Sequence, residues 1–196
     1  MTGSAEAVRK ANLLVGDRVR LTAIDENDMA TIAGWYQDTH FLRLYDSAPA
    51  YPKTEKQIQE RIKESQDDER TFIFAVRLRE GDEMIGLLEL DGISWSHGTS
   101  FVSIGIGDKV HRHQGYGKEA MRLALRFAFD ELNLHRLCLT VFSYNEAAIA
   151  LYRQLGFRHE GTYREHLQRD GQRHDMHLYG ILRREWEESR VTDESG

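Results

Sequence analysis

The run Arg112-His113-Gln114-Gly115-Tyr116-Gly117-Lys118 puts two glycines among cationic and imidazole side chains, directly ahead of a long helical pattern. A glycine-bearing turn that opens a helix leaves several main-chain N–H groups unpaired and pointing outward. The helix dipole adds positive potential at the same place. Such an end is a seat for a phosphate or pyrophosphate. The spacing is Arg-x-x-Gly-x-Gly, which is neither of the two commonest phosphate loops. A Walker A loop needs Gly in place of Arg112 and Ser or Thr in place of Glu119. Gly105-x-Gly107 lacks the third glycine of a dinucleotide fingerprint, because Val110 stands there.

Other reactive side chains read as structural. His111-x-His113 offers two ring nitrogens, but no neighbouring Cys or carboxylate is expected to complete a metal set, so no metal is expected. His174 and His177 are three apart in a strand pattern and point to opposite faces. Cys138 sits among apolar residues and reads as packing rather than as a nucleophile.

These residues need elements to hold them. Asp17 to Ile24 alternates as a strand. Asp25 caps a helix carrying Met29, Ile32, Ala33 and Tyr36 at helical spacing. Residues 38–53, with Pro49 and Pro52, read as an irregular loop. Thr54 and Gln57 form a capping box for a second helix that buries Ile58 and Ile62. Thr71–Leu78, Met84–Ile93 and Thr99–Gly107 form a three-strand meander. Gly115 to Leu132 is a helix with one polar stripe, Glu119, Arg122, Arg126 and Asp130, and lies against a sheet. Arg136–Phe142 is short and dense in branched and aromatic residues, which predicts a strand buried on both faces. Asn145 caps a helix that Gly156 ends. Arg158–Gln168 and Gln172–Leu182 flank Asp170-Gly171, a type I′ hairpin signal. The order is an α/β arrangement with a mixed sheet.

The chain has 196 residues, enough for one domain with a proper core. Residues 1–16 read as an N-terminal arm, 17–187 as the domain and 188–196 as a C-terminal tail. The formal charge of −6 disfavours nucleic acid as a partner and suits a cationic one. No apolar stretch is long enough to span a membrane, and residues 1–16 lack the apolar segment of a signal peptide, so a cytoplasmic protein is expected. The lone Cys138 leaves no internal disulfide. Strand edges near the C-terminal hairpin leave room for a homodimer.

A second run, Asn145-Glu146-Ala147-Ala148-Ile149-Ala150-Leu151-Tyr152-Arg153-Gln154-Leu155-Gly156-Phe157, follows about thirty residues after the first. It resembles the GNAT N-acetyltransferase signature Asn-x-x-Ala-x-x-Leu-Tyr-x-x-x-Gly-Phe at every specified position. The first run resembles the acetyl-CoA loop of the same superfamily, Arg/Gln-x-x-Gly-x-Gly/Ala. The similarity extends from about Arg18 to Glu185. Leu134-His135-Arg136-Leu137 and the terminal hairpin are similar to the RimJ/RimL and spermidine N-acetyltransferase group. One departure is that many members carry Pro near Lys109 and this chain has none.

The resemblance implies a GNAT-like fold: a mixed sheet of about seven strands, flanked by four helices and splayed between the fourth and fifth strands. It implies acetyl-CoA as co-substrate. Amides from His113 through Gly115, Tyr116 and Gly117 to Lys118 would hold the pyrophosphate, with Arg112 and Lys118 adding charge. The strand ending at Ile106 would pair with the pantetheine arm by strand addition, near Asn145. Tyr152 would sit beside the sulfur as general acid. A phenol near 10 is a plausible proton donor to a thiolate near 8.5.

An amine near 10.4 is neutral in only about one molecule in two or three thousand at pH 7, a deficit of roughly 4–5 kcal/mol unless the site removes the proton. Glu89 is the favoured base. Asp91, two residues on and on the same strand face, and His97 in the following turn stay open as alternatives. Trp35, Asp38 and Asp46, with Glu89 and Asp91, are the expected acceptor-site residues. The expected reaction is direct transfer to a primary amine, first a polyamine or other small amine. A peptide N-terminus, as for ribosomal proteins, is the alternative acceptor. A CoA-binding sensor without turnover is the alternative of another class.

Overall fold

The computed structural model describes residues 12–193; residues 1–11 of the expected arm and 194–196 of the expected tail lie outside the described residues. One seven-stranded sheet organises the chain, in the order β1-β2-β3-β4-β5-β7-β6. The strands are β1 (Val19–Thr22), β2 (Phe72–Leu78), β3 (Met84–Ser94), β4 (Thr99–Ile106), β5 (Arg136–Phe142), β6 (Arg158–Arg169) and β7 (Gln172–Leu182). All neighbours are antiparallel except β4 and β5, which run parallel. The helices are α1 (Met29–Trp35), α2 (Thr39–Tyr45), α3 (Glu55–Asp67), α4 (Tyr116–Arg126), α5 (Glu146–Gln154) and α6 (Arg183–Asp193).

Helices cover both faces and give two cores. On one face α4 lays Ala120, Met121, Ala124 and Leu125 against Leu88, Leu90, Val102 and Leu137. On the other, α1, α2 and α3 pack Ile32, Tyr36, Phe41, Ile58 and Ile62 onto Ile73, Ala75 and Leu87. The alternation of β3 divides its side chains between the faces. Leu87, Glu89 and Asp91 therefore stand on the α1–α3 side.

The splay between β4 and β5 is short of partners by construction. Only Thr99, Ser100 and Phe101 register with Arg136, Leu137 and Cys138. Beyond Phe101 the β5 side of β4 has no strand, while its β3 side stays paired to Ile106. This overturns the expectation that β5 is buried on both faces. Leu137, Leu139 and Val141 are buried, but Arg136 and Cys138 are half-buried and Thr140 is exposed, so the face that these three alternate residues share is only partly covered.

Residues 38–53 are not wholly irregular, as the two prolines suggested. Asp38 accepts a hydrogen bond from the His40 amide and starts α2, which buries Phe41 and Leu42; Pro49 and Pro52 come only after its end. With α6, this makes six helices among the described residues where four were expected. The domain boundary expected after residue 187 falls inside α6. The capping boxes at Asp25 and Thr54 form, and the Asp170-Gly171 turn has positive φ at both residues.

The polar stripe of α4 is spent on holding other elements. Glu119 Oε1 accepts from the amides of Arg18 (2.8 Å) and Val19 (3.3 Å), Arg126 Nε donates to the carbonyl of Leu13 (3.0 Å), and Asp130 pairs with Arg190 on α6. After Arg126 the helix loosens into one π turn, Phe127–Glu131.

Candidate active site

The splay opens a continuous cavity of about 760 Å³ that reaches from the N-terminus of α4 to the C-terminal end of α2. At the α4 end, Gly115 holds φ at 85° as N-cap and no side chain caps the helix, so its first amides remain available as donors. His113, at φ 60°, bends the loop so that Gly115, Gly117 and Lys118 all line the cavity. A Cβ on Gly117 would meet Ile106 Cγ1 at 3.7 Å and Ile104 Cδ1 at 4.0 Å, so a side chain there would fill space between the helix end and β4. Lys118 Nζ donates to Gln154 Oε1 (3.1 Å), closing one wall between α4 and α5.

The walls are β4 from Phe101 to Ile106 and, across the splay, Thr140–Phe142 of β5 with α5. Asn145 caps α5 through the Ala148 amide (3.2 Å), and its Nδ2 donates to the Leu44 carbonyl (3.4 Å). Tyr144 donates its hydroxyl to the Arg43 carbonyl (2.6 Å). The end of α2 is thereby tied to the β5–α5 turn. Arg169, at the tip of the hairpin, donates through Nη2 to the carbonyls of Asp46, Ser47 and Ala48 (3.0–3.3 Å) and holds the segment after α2 over the groove.

Of the residues singled out from sequence, Ile106, Arg112, His113, Gly115, Gly117, Lys118, Asn145 and Tyr152 line this one cavity, together with Asp46 and Asp91. Four others do not. Tyr116 lies beneath Arg18, whose guanidinium sits 4.1 Å from the ring centre. Trp35 belongs to the core and packs on Gly107, where a Cβ would come within 2.0 Å of its indole. Asp38 caps α2 and faces Lys109 (3.3 Å) and Arg112 (3.6 Å). Burial opposes its charge, but amide hydrogen bonds from Phe41 and His40 and the Lys109 ammonium outweigh that and hold its carboxyl below the usual range. Glu89 faces α3, where Ser65 Oγ donates to it (3.2 Å) and Arg61 stands 3.9 Å away.

Arg112 also differs from expectation. Although it borders the cavity, its guanidinium turns inward and donates to the carbonyls of Ile106 (3.0 Å) and Gly107 (2.6 Å), above the Phe41 ring. Sequence spacing could not show this, because the acceptors are the main-chain ends of β4. Asp108 supplies the local turn that the absent proline would have set: its Oδ1 accepts the Val110 amide (3.0 Å). The expectation that no carboxylate stands near His111 is overturned, since Glu83 Oε1 lies 3.3 Å from its Nε2 and Asp108 is close by. Tyr45 also lines the groove and stacks on Phe41 at 5.3 Å.

The two strand carboxylates differ in surroundings. Burial raises the Asp91 carboxyl above the ordinary Asp value, and nothing else shifts it. Burial also raises Glu89, with Arg61 and the Ser65 hydrogen bond pulling it partly back and Asp91 pushing it further up. Tyr152 is buried and its phenol is pushed up to about 12, so it stays protonated across the neutral range. Burial raises the Cys138 thiol as well, although Arg136 Nε donates to Sγ (3.1 Å), and Cys138 is not part of the groove wall.

The main-chain donors at one end and the unpaired inner edge of β4 fit a long extended molecule with a diphosphate at its end. Asp46 and Asp91 at the other end fit a cation. The sequence pattern described as "Acetyltransferase (GNAT) domain" matches residues 18–158. The chain is 28% identical to the SPbeta prophage-derived uncharacterized N-acetyltransferase YokL of Bacillus subtilis, over 88% of this chain and 94% of that one. It is 25% identical to the ribosomal protein uS5-alanine N-acetyltransferase of Escherichia coli, over 97% and 100%. The crystal structure of spermidine N-acetyltransferase from Vibrio cholerae in complex with CoA and spermine superposes with a TM-score of 0.80, at 25% identity over 87% of this chain and 99% of that one.

Proposed function

The chain belongs to the GNAT acetyltransferase family and is an N-acetyltransferase; from that membership we propose that it moves an acetyl group from acetyl-CoA to a primary amine by direct attack in a ternary complex. The acceptor in this proposal is a polyamine or another small cationic amine. One observation carries it. A single groove has main-chain N–H donors at one end, two carboxylates at the other and a protonated phenol on its wall.

Acetyl-CoA would bring the activated acyl group, and its diphosphate suits the donors at Gly115, Tyr116, Gly117 and Lys118. Main-chain groups of β4 beyond Phe101 suit an extended arm. The protein then has two proton tasks. The ammonium of the acceptor must lose a proton before its lone pair can attack, and Asp91, which lines the groove, is the proposed base. Glu89, the choice favoured from sequence, is held by Ser65 and Arg61 behind the groove surface and serves to position α3. The departing sulfur must gain a proton, and Tyr152 is the donor. Its phenol near 12 looks weak against a thiol near 8.5, but the burial that raises the phenol raises the thiol too, which narrows the gap. No covalent enzyme intermediate is part of the proposal: Cys138 has a raised thiol and lies off the groove wall.

Asp46 and Asp91 favour a cationic acceptor, as does the net charge of −6. The supply of acetyl-CoA and a lone unpaired thiol both suit the cytoplasm, where we place the reaction. The test is thiol release from acetyl-CoA across a panel of spermidine, spermine, small diamines and alanine-starting peptides. Polyamines or diamines are expected to give the highest kcat/KM. Turnover confined to peptide N-termini would replace the acceptor and leave the reaction standing. Tight binding of acetyl-CoA with no amine ever consumed would favour the sensor.

A further inference from the structure

At the edge of the groove, which His111 lines, three side chains from separate places in the sequence converge. Glu83 closes the turn between β2 and β3, and Asp108 and His111 bracket the short turn that leaves β4. One ligand atom from each lies within 4.8 Å of the other two. His111 is fixed by an edge contact with the Tyr116 ring, 5.9 Å between centres, and its side chain is only 14% exposed. Asp108 is fixed by the Val110 amide. Glu83 is 55% exposed and free to adjust.

The charges around this cluster are unbalanced. Lys109 stands between Asp108 and His111 in sequence, yet its ammonium turns to Asp38 (3.3 Å). Arg112 turns to the carbonyls of Ile106 and Gly107. Among the described residues no Lys or Arg pairs with Glu83 or Asp108, so two carboxylates converge on one imidazole with no Lys or Arg between them.

We propose that Glu83, Asp108 and His111 form a binding site for a divalent transition-metal ion, with His111 Nε2 and one oxygen from each carboxylate as ligands and water completing the shell. Imidazole favours zinc and its neighbours, and carboxylates also suit manganese. At metal–ligand distances of about 2.0–2.2 Å, adjacent ligand atoms lie roughly 3–3.5 Å apart. Glu83 and His111 already stand 3.3 Å apart, and the separations to Asp108, at most 4.8 Å, need to shorten by up to roughly 1.5 Å, within reach of side-chain rotation. The bound ion ties the β2–β3 turn to the segment that leads into the glycine loop. The site is independent of the proton roles of Asp91 and Tyr152, so its failure would leave the acetyl-transfer proposal untouched.

The test uses untagged, chelator-treated full-length protein, titrated calorimetrically with zinc, manganese and magnesium chlorides. One equivalent of zinc is expected to bind, manganese more weakly and magnesium weakest. Glu83→Gln and Asp108→Asn, each checked for an intact circular dichroism spectrum, are expected to weaken zinc binding roughly tenfold or more. Cys138→Ser is expected to leave it unchanged. The proposal fails if no one-equivalent zinc binding tighter than about 100 µM is found. It also fails if Glu83→Gln binds zinc as the parent does, or if binding disappears with the Cys138 thiol.

Discussion

Replacing Asp91 with Asn separates two consequences that a purely structural carboxylate would not combine. Asp91 is half-buried in β3, paired in register with Phe101, and burial alone raises its pKa. At pH 7 its charged form is the one that can accept the acceptor's proton, and Asn cannot. General-base catalysis typically contributes 10²–10⁴-fold. A loss of about 10²–10³ in kcat/KM is expected, or roughly 3–4 kcal/mol of transition-state stabilisation.

Stability should move the other way. A carboxyl with a folded pKa above its unfolded value near 3.9 binds its proton more tightly when folded. Its contribution to stability is therefore largest below the unfolded pKa and is lost as pH rises through the folded pKa. Above its folded pKa the parent protein carries the cost of a desolvated charge, and Asp91→Asn does not. The variant is expected to melt higher at pH 7, with the difference vanishing toward pH 3. The kcat/KM profile of the parent should show an acid limb that the variant lacks. Thiol-release kinetics from pH 5 to 9 and thermal melts over pH 3–8 test both halves. A variant within threefold of the parent in kcat/KM, with the acid limb intact, would refute the role of Asp91. Loss of that limb in Glu89→Gln instead would return the role to Glu89.

Three further outcomes follow from the same geometry. Tyr152→Phe removes the only phenol hydroxyl contributed by α5 and should lower kcat by about 10²-fold or more with little change in acetyl-CoA KM, as read by steady-state thiol release; an unchanged kcat would deny it the proton-donor role. Arg169→Ala frees the carbonyls of Asp46, Ser47 and Ala48, and should raise the acceptor KM several-fold while leaving the acetyl-CoA KM alone; initial rates with each substrate varied check this. Gly107→Ala drives a methyl to 2.0 Å from the Trp35 indole and should cost about 1–3 kcal/mol. Thermal denaturation should show a fall of about 2–4 °C per kcal/mol for a chain of this size.

Local grammar was legible from the chain alone. The cap at Asp25, the capping box at Thr54, the meander, the positive-φ turn at Asp170-Gly171 and the helix after Gly115 each depend on residues within a few positions of one another. The two runs, Arg112–Lys118 and Asn145–Phe157, pointed to one family, and both line one groove. Helix α2 was missed because the prolines after it dominate the local signal, while its stability comes from burying Phe41 and Leu42 in a distant core.

Tertiary structure decided the rest. Arg112 reads as a phosphate ligand, yet the chain turns back after β4 and its guanidinium donates to the carbonyls of Ile106 and Gly107, only six and five residues away, a contact set by the shape of the turn rather than by residue type. Glu89 and Asp91 share a strand face and look equivalent in sequence, yet Ser65 and Arg61 of α3 engage one and leave the other facing the groove. Glu83 and His111 meet only because β3 pairs with β4 and brings the turn before one strand to the turn after the next. Residue type and spacing fix which groups can form hydrogen bonds and where the backbone bends. Which partner each charged group meets depends on strand register and helix docking, and those are set by burial summed over the whole sheet.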